Sequence, residues 1–527
     1  MSEQASRSAR TFPYRSSATG KVIIAGVLLA GLTAVVAARC YVSSALWLDE
    51  SLSVSIARLP LSQLPAALRL DGSPPLYYFL LHLWIELFGT GNQPVRLLSG
   101  LFGVLALPLM FAVGSRLRDR ATGWCAVLLL AVSPFAVHYA TETRMYSLVV
   151  LEVLLLGLAL LRARERPSRL RLAPIPVVAA LLLYTHYWSL FLLTALGAAL
   201  LTQAVRGPTA PTYRRLTVAL ALSAGLFAPW LSSFLEQLRH TGTPWAQPPA
   251  ADAFVLTVRE WAGGGTAGGE LLTVVLAGLF VLGLLGRRTA DADGRGAVLL
   301  RLPVHRPALG LLGLALGGLV LGLGAAMLGR SGYAYRYSSV LLVPALLLAA
   351  LGLTALPTKA RAVLIAVVVL TGGSGVVHQQ LFLPRTQAAE IAAALQSRLR
   401  PGDLVVYCPD QLGPAVSRLL APGVDQVVYP SFARPERVDW RDYQQRNAAA
   451  VPASFAATAA KRTSGTVFLV WQGGYRTFGM QCEDLATALK RVKGSQARLV
   501  KPDGRYAERH HLDRFPAASS VAGAGPR

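Results

Sequence analysis

Two adjacent carboxylates follow the first long apolar run of the chain, Val22–Ala38. Charged side chains beside a bilayer cost free energy, so acids placed there are candidate functional residues. A carboxylate at such a position can act as a general base toward a hydroxyl. The sequence therefore predicts Asp49 and Glu50 as catalytic residues, with a helix cap or a surface charge as the plain alternative.

A third acid, Asp71, lies in the same polar loop. It begins the segment Asp71-Gly-Ser-Pro-Pro-Leu-Tyr-Tyr78, in which two prolines restrict the backbone. A restricted backbone favours a fixed position for the acid. We therefore predict a functional role for Asp71.

Polar and aromatic residues gather again near residue 140. Glu142 and Arg144 are two positions apart, so they would not face each other on a helix as a simple ion pair. The planar guanidinium of arginine suits paired hydrogen bonds to a phosphate. Arg144 is therefore a candidate phosphate ligand, and Tyr139, Glu142 and Tyr146 are candidate substrate-binding residues.

Two later clusters also join polar and aromatic residues at the ends of apolar segments. His186 stands within Tyr184–Trp188 and is a candidate substrate-binding residue, although an aromatic belt at the membrane interface explains the cluster equally well. Arg336 and Tyr337 end Tyr333–Tyr337 and are candidate phosphate ligands. The alternative for Arg336 is a side chain that extends to lipid headgroups.

The composition indicates a polytopic membrane protein. The chain has 527 residues, of which 53% are hydrophobic and only 15% charged. A soluble protein usually carries about 25% charged residues. The net charge of +24 comes from basic residues that cluster in short loops between apolar runs. Basic residues in such loops set the topology of the chain and attract anionic lipid headgroups. No nucleic-acid partner is expected.

Apolar runs predict an α-helical protein with about 11–13 membrane spans, each near the roughly 20 residues that cross a bilayer. Eleven are assigned, at 21–40, 95–115, 122–138, 146–162, 172–186, 187–205, 215–233, 271–286, 307–328, 335–356 and 362–380. The run Pro75–Phe88 is short for a span, so we interpret 51–94 as one external loop whose helices lie along the membrane. A twelfth, short or tilted span is the alternative.

Strands alternate with helices after residue 381, which predicts a small α/β domain. The positive-inside rule places this domain and the candidate site outside a bacterial plasma membrane. If so, Cys408 and Cys482 could pair. Trp471 and Tyr475 could stack on a sugar, but a place in the domain core is favoured. The predicted domains are a disordered cytoplasmic N-terminus at 1–20, a transmembrane catalytic domain at 21–380 with its first external loop at 43–94, the α/β extracytoplasmic domain at 381–516, and a disordered tail at 517–527.

No metal-binding or nucleotide-binding pattern is present in the sequence. The glycine-rich stretch Gly263–Gly269 has no Gly-Lys-Ser/Thr and is not a phosphate-binding loop of the nucleotide-hydrolase type. The energy for a reaction would then come from an activated substrate. No cofactor is expected.

The order of these motifs resembles that of the GT-C membrane glycosyltransferases, in particular the protein O-mannosyltransferases and the lipid A aminoarabinose transferases of the glycosyltransferase family 39 type. The resemblance covers residues 20–380. The resemblance is carried by Asp49-Glu50, Asp71-x-Ser-Pro-Pro-Leu-Tyr-Tyr, Arg96-Leu-Leu-Ser, Glu142-x-Arg-Met-Tyr, and Arg336-Tyr337 followed by Pro344. One departure is Ser73, where the family often has histidine before the two prolines. The resemblance makes Ser73 a candidate substrate-binding or acceptor-binding residue.

The resemblance implies transfer of a sugar, with mannose favoured, from a polyprenyl-phosphate donor to a hydroxyl of a glycan or protein acceptor, with inversion. Asp49 would be the base, and Arg144 and Arg336 would stabilise the departing phosphate. Glu50, Asp71, Glu142 and His186 would shape the sugar and acceptor sites. No catalytic metal is implied.

Two alternatives remain open at this stage. A pentosyltransferase, such as an arabinofuranosyltransferase of cell-wall glycan, would use the same scaffold. A lipid or solute transporter would place polar residues near the bilayer midplane and in paired repeats. Here the polar residues stand at helix ends and no repeat is found, which disfavours the transporter. The α/β domain could bind the acceptor or a partner.

Overall fold

The computed structural model describes residues 18–205, 208–244, 246–288, 298–300 and 306–517. Most of the predicted N-terminal segment and all but the first residue of the predicted tail therefore lie outside the described residues. The helical part comprises α1 Ala18–Cys40, α2 Leu48–Ala57, α3 Leu64–Asp71, α4 Leu76–Phe88, α5 Asn92–Leu117, α6 Arg120–Ala131, α7 Pro134–Ala140, α8 Tyr146–Glu165, α9 Arg169–Leu172, α10 Pro174–Thr185, α11 Ser189–Ala204, α12 Ala210–Phe227, α13 Leu231–His240, α14 Ala253–Trp261, α15 Ala267–Leu285, α16 Arg306–Leu328, α17 Ser339–Ala355 and α18 Thr358–Leu381.

Every predicted span contains a helix, but not every helix is long enough to cross a membrane. Among the described residues, seven helical segments are long and apolar enough, or eight if the bent pair α6–α7 is one span. Two of the predicted spans contain shorter helices: α10 has 12 residues, or roughly 18 Å of helix, and α11 has 16. The seven are Asn92–Leu117, Tyr146–Glu165, Ala210–His240, Ala267–Leu285, Arg306–Leu328, Tyr335–Ala355 and Thr358–Leu381.

The predicted span 122–138 is wrong as a single straight helix. The chain bends by 62° between α6 and α7. Ser133 caps the new helix by accepting the N–H of Ala136 at 3.2 Å, and Pro134 occupies its first turn. A proline there lacks the N–H that would continue α6, so the helix ends and restarts.

The helices pack around α17, in which every residue is buried. It contacts α6, α8, α15 and α16. An all-apolar helix with no polar face is stable only when other helices surround it. The remaining long helices bury one side only. They position the loops that precede α2, α4, α8, α11 and α17.

The loop between α1 and α5 contains three helices rather than an extended chain. The helix α4 corresponds to the run assigned to the external loop, and its 13 residues fall short of a span. It packs on α2, α5 and α10. The tight turn at Gly72 between α3 and α4 has φ +83, which glycine adopts without strain.

The remaining elements are β1 Gly286–Arg288 and β2 Val298–Leu300, which form a separate hairpin, then α19 Ala388–Gln396, β3 Leu404–Cys408, α20 Gly413–Ser417, β4 Asp425–Val428, α21 Tyr443–Ala448, α22 Pro452–Arg462, β5 Val467–Trp471, α23 Gln481–Lys493, β6 Ala497–Val500 and β7 His511–Phe515. The C-terminal region forms a five-stranded mixed sheet in the order β4-β3-β5-β7-β6. In this sheet β3, β4 and β5 are parallel, and β7 pairs antiparallel with β5 and β6.

A disulfide joins Cys408 at the end of β3 to Cys482 at the start of α23. Trp471 lies in the core beside it, and its indole N–H donates to Asp513 at 2.8 Å. The core interpretation of Trp471 is therefore the one the fold supports. Tyr475 packs on the same core.

The sheet region packs directly on the segment between α1 and α5. Leu48 and Leu52 of α2 belong to the hydrophobic core of the sheet region. The N–H of Trp440 donates to the carbonyl of Leu70 at 3.0 Å, and Arg418 donates to the carbonyl of Thr90 at 2.9 Å. One face of α2 is thus held by the C-terminal region while its other residues face the helical bundle.

Candidate active site

Eight of the predicted site residues line one cavity of about 500 Å³. The cavity lies where α2, the turn before α4, the start of α8, the turn between α10 and α11, and the turn before α17 meet. All these positions are helix ends, as the sequence analysis predicts. The eight are Asp49, Asp71, Ser73, Arg144, Tyr146, His186, Arg336 and Tyr337.

Asp49 lies in the first turn of α2 and faces the cavity. Its Oδ2 is 3.3 Å from Nη2 of Arg336. The backbone carbonyl of Asp49 accepts the hydroxyl of Ser53 at 2.8 Å, which adds to the helix hydrogen bonding. Because Asp49 lines the cavity, its carboxylate can be reached by a molecule that enters there.

Glu50 is the next residue, but it does not line the cavity. It is fully buried and receives two hydrogen bonds from Arg96, Nε to Oε1 at 2.7 Å and Nη2 to Oε2 at 2.6 Å. Arg385 Nη1 lies 3.3 Å from Oε1, and the N–H of Thr143 donates to Oε1 at 3.0 Å. Burial alone would raise the pKa of Glu50, but Arg96 and Arg385 lower it to about 2. This carboxylate holds four segments of the fold together.

Asp71 and Arg144 are joined through a tyrosine hydroxyl. Tyr78 donates to Asp71 Oδ2 at 3.0 Å, and Arg144 Nη1 donates to the same tyrosine oxygen at 3.1 Å. Arg144 also donates to the hydroxyl of Ser53 at 3.3 Å. Burial raises the pKa of Asp71, and Arg144 opposes that shift. Ser73 follows Asp71 around the turn and lines the same cavity.

Glu142 and Tyr139 lie behind the cavity wall rather than in it. Glu142 is buried, and its Oε2 is 3.6 Å from Nε2 of His138. Burial raises the pKa of Glu142 to about 7, against the lowering effect of Arg385. Tyr139 packs edge-on against Tyr146, with ring centroids 4.8 Å apart. These two residues support the residues that face the cavity.

An aromatic wall runs from α8 to the turn before α17. The ring of His186 lies 5.7 Å from that of Tyr146 and 5.3 Å from that of Tyr337. Its Nδ1 accepts the N–H of Trp188 at 3.2 Å. Burial, together with Arg144 and Arg336, lowers the pKa of His186 to about 3, so the ring is neutral near pH 7. Because Nδ1 accepts, the proton is on Nε2, which is then able to donate to a ligand.

Arg336 is held among anionic and aromatic partners. Besides Asp49, its guanidinium lies 5.8 Å from the Trp47 ring and 5.9 Å from the Tyr337 ring. Stacked guanidinium groups retain their charge and their capacity for paired hydrogen bonds. Arg336 and Arg144 thus bring two cations to a cavity that also contains Asp49.

Several residues that line the cavity or hold Glu50 were not predicted as site residues. Arg96 was noted only as part of a motif, and Arg385 gave no signal beyond being a basic residue after an apolar run. Trp188, Gln237 and Trp440 also line the cavity. No sequence pattern marks Trp440, because it comes from the C-terminal region and reaches the cavity only through the tertiary fold.

Glu508 of the C-terminal region supports the helix that carries Asp49. Its Oε1 accepts the N–H of Leu48 at 3.2 Å, at the first turn of α2. The side chain is 11% exposed, and burial raises its pKa to about 7. The segment around Glu508 is itself held by a bridge to Thr386. The catalytic candidate therefore stands on a helix capped by a residue 460 positions away.

Within the described ranges, no group of three or more histidine, cysteine, aspartate or glutamate side chains is arranged to hold a metal ion. The chemistry that the visible side chains can perform is acid–base catalysis by Asp49 and electrostatic stabilisation of an anion by Arg144 and Arg336.

One segment of the chain is similar in sequence to a known family. Residues 72–232 match the family model of dolichyl-phosphate-mannose-protein mannosyltransferases. This segment contains Ser73, Arg144 and His186. No curated protein matches the chain by sequence.

Two solved structures share the fold. ArnT from Cupriavidus metallidurans, bound to undecaprenyl phosphate, is 14% identical, with a TM-score of 0.55 over 97% of this chain and 100% of that one. The archaeal oligosaccharyltransferase AglB from Archaeoglobus fulgidus, in complex with an inhibitory peptide and a dolichol-phosphate, is 11% identical, with a TM-score of 0.50 over 93% of this chain and 74% of that one. At these identities the likeness concerns the fold.

The family match and the shared fold confirm the resemblance predicted from the sequence. The chain is similar to membrane glycosyltransferases of the GT-C type, in sequence over residues 72–232 and in fold over most of its length. Its α-helical multi-pass architecture with a small C-terminal sheet region is the predicted fold class. The transporter alternative is set aside.

Proposed function

We propose that this protein transfers a sugar, with mannose favoured, from a polyprenyl-phosphate donor to an acceptor hydroxyl at the outer face of a bacterial plasma membrane, with inversion. The observation that carries the proposal is the meeting of one carboxylate, Asp49, and two guanidinium groups, Arg144 and Arg336, in a single cavity. This is the set of charges that a base-assisted displacement of a phosphate requires.

In the proposed reaction, Asp49 accepts the proton of the acceptor hydroxyl. The hydroxyl oxygen forms a bond to the anomeric carbon, while the bond from that carbon to the phosphate oxygen breaks. The polyprenyl phosphate leaves with the electron pair. Attack on the face opposite the phosphate inverts the anomeric centre.

Arg336 contacts Asp49 in the structure, at 3.3 Å. A donor phosphate entering the cavity competes with Asp49 for this guanidinium. Arg336 then neutralises charge on the leaving phosphate, and Asp49 is released to accept a proton. Positioned cations of this kind contribute most when they are aimed at the charge that develops in the transition state.

The cavity also has an apolar side suited to the first units of a polyprenyl chain. Small residues of α16, including Gly322 and Ala326, face Leu190 and Phe191 of α11 there. A Cβ at position 322 would lie 2.4 Å from the Trp188 ring, so glycine is needed for this ring to pack against α16. In this proposal the lipid lies between α11 and α16 and its phosphate reaches Arg336.

The disulfide between Cys408 and Cys482 supports an extracytoplasmic location of the C-terminal region. Disulfides persist in oxidising compartments such as the bacterial periplasm and are rare in the cytosol. The cavity lies next to this region, since Trp440 lines it. The transfer would then take place at the outer face of the membrane.

Mannose is favoured over arabinose because the matching family model is defined by mannosyltransferases. The test supplies the purified protein and a membrane acceptor extract with radiolabelled polyprenyl-phosphate-mannose or, in a parallel reaction, with the corresponding arabinofuranose donor. We expect label transfer from the mannose donor. Transfer from the arabinofuranose donor alone would mean that the transferred sugar is a pentose and not mannose. If a correctly folded protein transferred label from neither donor, the proposal would be contradicted.

The same assay tests the base. We expect Asp49→Asn to lower transfer by roughly 10²–10⁴-fold, the usual contribution of a general base. Asp252→Asn is the matched control, because Asp252 is exposed and does not line the cavity. Undiminished transfer by Asp49→Asn would remove Asp49 from the mechanism while leaving the class intact.

A further inference from the structure

A second cavity, of about 300 Å³, lies between the first external loop and the C-terminal region. Ile56 of α2 and Ala67 and Leu70 of α3 form one side. The segment between β4 and α21 forms the other. Ligand sites are frequent at boundaries of this kind between two structural units.

The second cavity carries more positive charge than its acids compensate. Arg434, Arg437 and Arg446 line it. Asp439 pairs with Arg446 at 3.4 Å and with Arg441 at 3.2 Å, so one carboxylate serves two guanidinium groups. Across the described part of the chain, no acid lies within ion-pair distance of Arg434 or Arg437.

The remaining acids do not remove this surplus. Glu436 is exposed to solvent, as Arg434 and Arg437 are, and it lies within ion-pair distance of neither arginine. Asp410 is buried and accepts the hydroxyl of Tyr443. Burial raises the pKa of Asp410 to about 7, so it is partly neutral at physiological pH.

A buried donor in this cavity also lacks a partner. Asn447 is 2% exposed and lines the cavity, and its side-chain Nδ2 donates to no acceptor within the described residues. A buried polar group without a hydrogen bond costs roughly 1–3 kcal/mol. A ligand that brings an acceptor oxygen would satisfy it.

The two cavities are separated by a single pair of backbone segments. Leu70 and Asp439 line the second cavity, and their sequence neighbours Asp71 and Trp440 line the cavity that contains Asp49. The hydrogen bond from Trp440 to the carbonyl of Leu70 joins the two segments. A ligand in the second cavity would therefore lie beside the catalytic one.

We propose that the second cavity binds the anionic group of an acidic sugar, a phosphate or a carboxylate, in the acceptor. Guanidinium groups bind both anions through paired hydrogen bonds, and Asn447 supplies a donor. The part of this inference that concerns the acceptor rests on the proposed function. The choice of a sugar as the carrier of the anion rests on it too, whereas the binding of an anion does not.

The experiment measures equilibrium binding of radiolabelled glucose 6-phosphate, glucuronate and glucose to the purified full-length protein. We expect both acidic sugars to bind and glucose to bind at least about tenfold more weakly. The double variant Arg434→Gln/Arg437→Gln should lose this preference. The matched control, Arg398→Gln/Arg400→Gln, removes the same charge from two exposed arginines outside the cavity and should retain it.

A third variant separates the two cavities. Arg336→Gln should leave binding of the acidic sugars unchanged, because Arg336 lines only the catalytic cavity. Loss of binding in Arg336→Gln with no loss in the double variant would overturn the proposal, and so would equal binding of glucose and the acidic sugars. Binding of short-chain phosphatidylglycerol without binding of either acidic sugar would replace the sugar by a lipid headgroup.

The transfer assay then tests the acceptor part separately. We expect the double variant to raise the KM for the membrane acceptor and to leave the KM for the lipid donor unchanged. An unaltered acceptor KM beside altered sugar binding would refute that part. Absence of transfer in every variant, with binding intact, would count against the proposed function and not against the site.

Discussion

Asp49 and Glu50 are neighbours in sequence and in the same helical turn, yet their surroundings differ completely. Asp49 faces a cavity of about 500 Å³ and has Arg336 beside it. Glu50 faces the interior, where Arg96 and Arg385 enclose it. Successive residues of a helix point about 100° apart, so one turn of α2 supplies both an acid that can react and an acid that holds the fold.

The comparison teaches that a pair of acids at a membrane surface need not be a pair of catalysts. The buried ion pair fixes α2 against α5 and the segment after α18, and the sheet region packs on the other side of α2. Asp49 is thereby held in place by interactions that it does not make itself. The following predictions test how far the two roles are separable.

The largest effect on stability is expected at Glu50. Glu50→Gln leaves two buried guanidinium groups without their carboxylate, and breaking a buried pair costs roughly 3–5 kcal/mol. We expect the free energy of unfolding, measured in detergent with denaturant, to fall by this amount. Asp49→Asn is the matched control and should be less destabilising, because Asp49 has one ion pair at the edge of the cavity and Glu50 has two in the interior. An equally unstable Asp49→Asn would erase the distinction between the two acids.

Lowering the pH should reproduce the loss of stability expected for Glu50→Gln. The pKa of Glu50 is lowered from 4.5 to about 2 in the folded protein. The stability it contributes is therefore full above pH 4.5 and is lost as the pH falls toward 2. A shift of this size corresponds to about 3 kcal/mol. The difference in unfolding free energy between wild type and Glu50→Gln should narrow over this range, and a constant difference would contradict the assignment.

Arg336 should affect transfer more than folding. Arg336→Gln removes a cation proposed to stabilise the leaving phosphate, and we expect transfer to fall by about 10²-fold, the lower end for loss of one preorganised donor. Arg336→Lys should restore part of the rate, because it keeps the charge but not the paired hydrogen bonds. The check is kcat with a saturating lipid donor. A rate that stays at the wild-type level in Arg336→Gln would exclude this role.

The smallest effect is expected at Glu508, which acts on Asp49 only through α2. Glu508→Ala removes the acceptor for the Leu48 N–H, and loss of a helix cap costs about 1 kcal/mol. Glu508→Gln keeps an acceptor oxygen and should behave like wild type. Hydrogen exchange of the Leu48 amide measures this directly: we expect faster exchange in the alanine variant alone. Unchanged exchange in Glu508→Ala would show that the cap does not hold the helix.

Much of this site could be predicted from the sequence because its chemistry is local. Asp49, Arg144 and Arg336 each follow or precede an apolar run, and their side-chain types limit what they can do beside a membrane. Hydropathy placed a helix in every predicted span for the same reason, since a backbone in lipid must satisfy its own hydrogen bonds. The break at Pro134 was missed because the apolar pattern continues across it.

Hydropathy and residue type alone thus determined the helical membrane architecture and the presence of an acid and two arginines at helix ends. Only the tertiary structure decided which of the two acids, Asp49 or Glu50, faces the cavity. The partner of Glu50 is Arg96, 46 residues away, and the residue that caps α2 is Glu508, 460 residues from Leu48. A local sequence pattern shows that a charge lies near lipid, where it costs free energy. The residue that pairs with this charge is distant in sequence and meets it only when the chain packs into its tertiary structure.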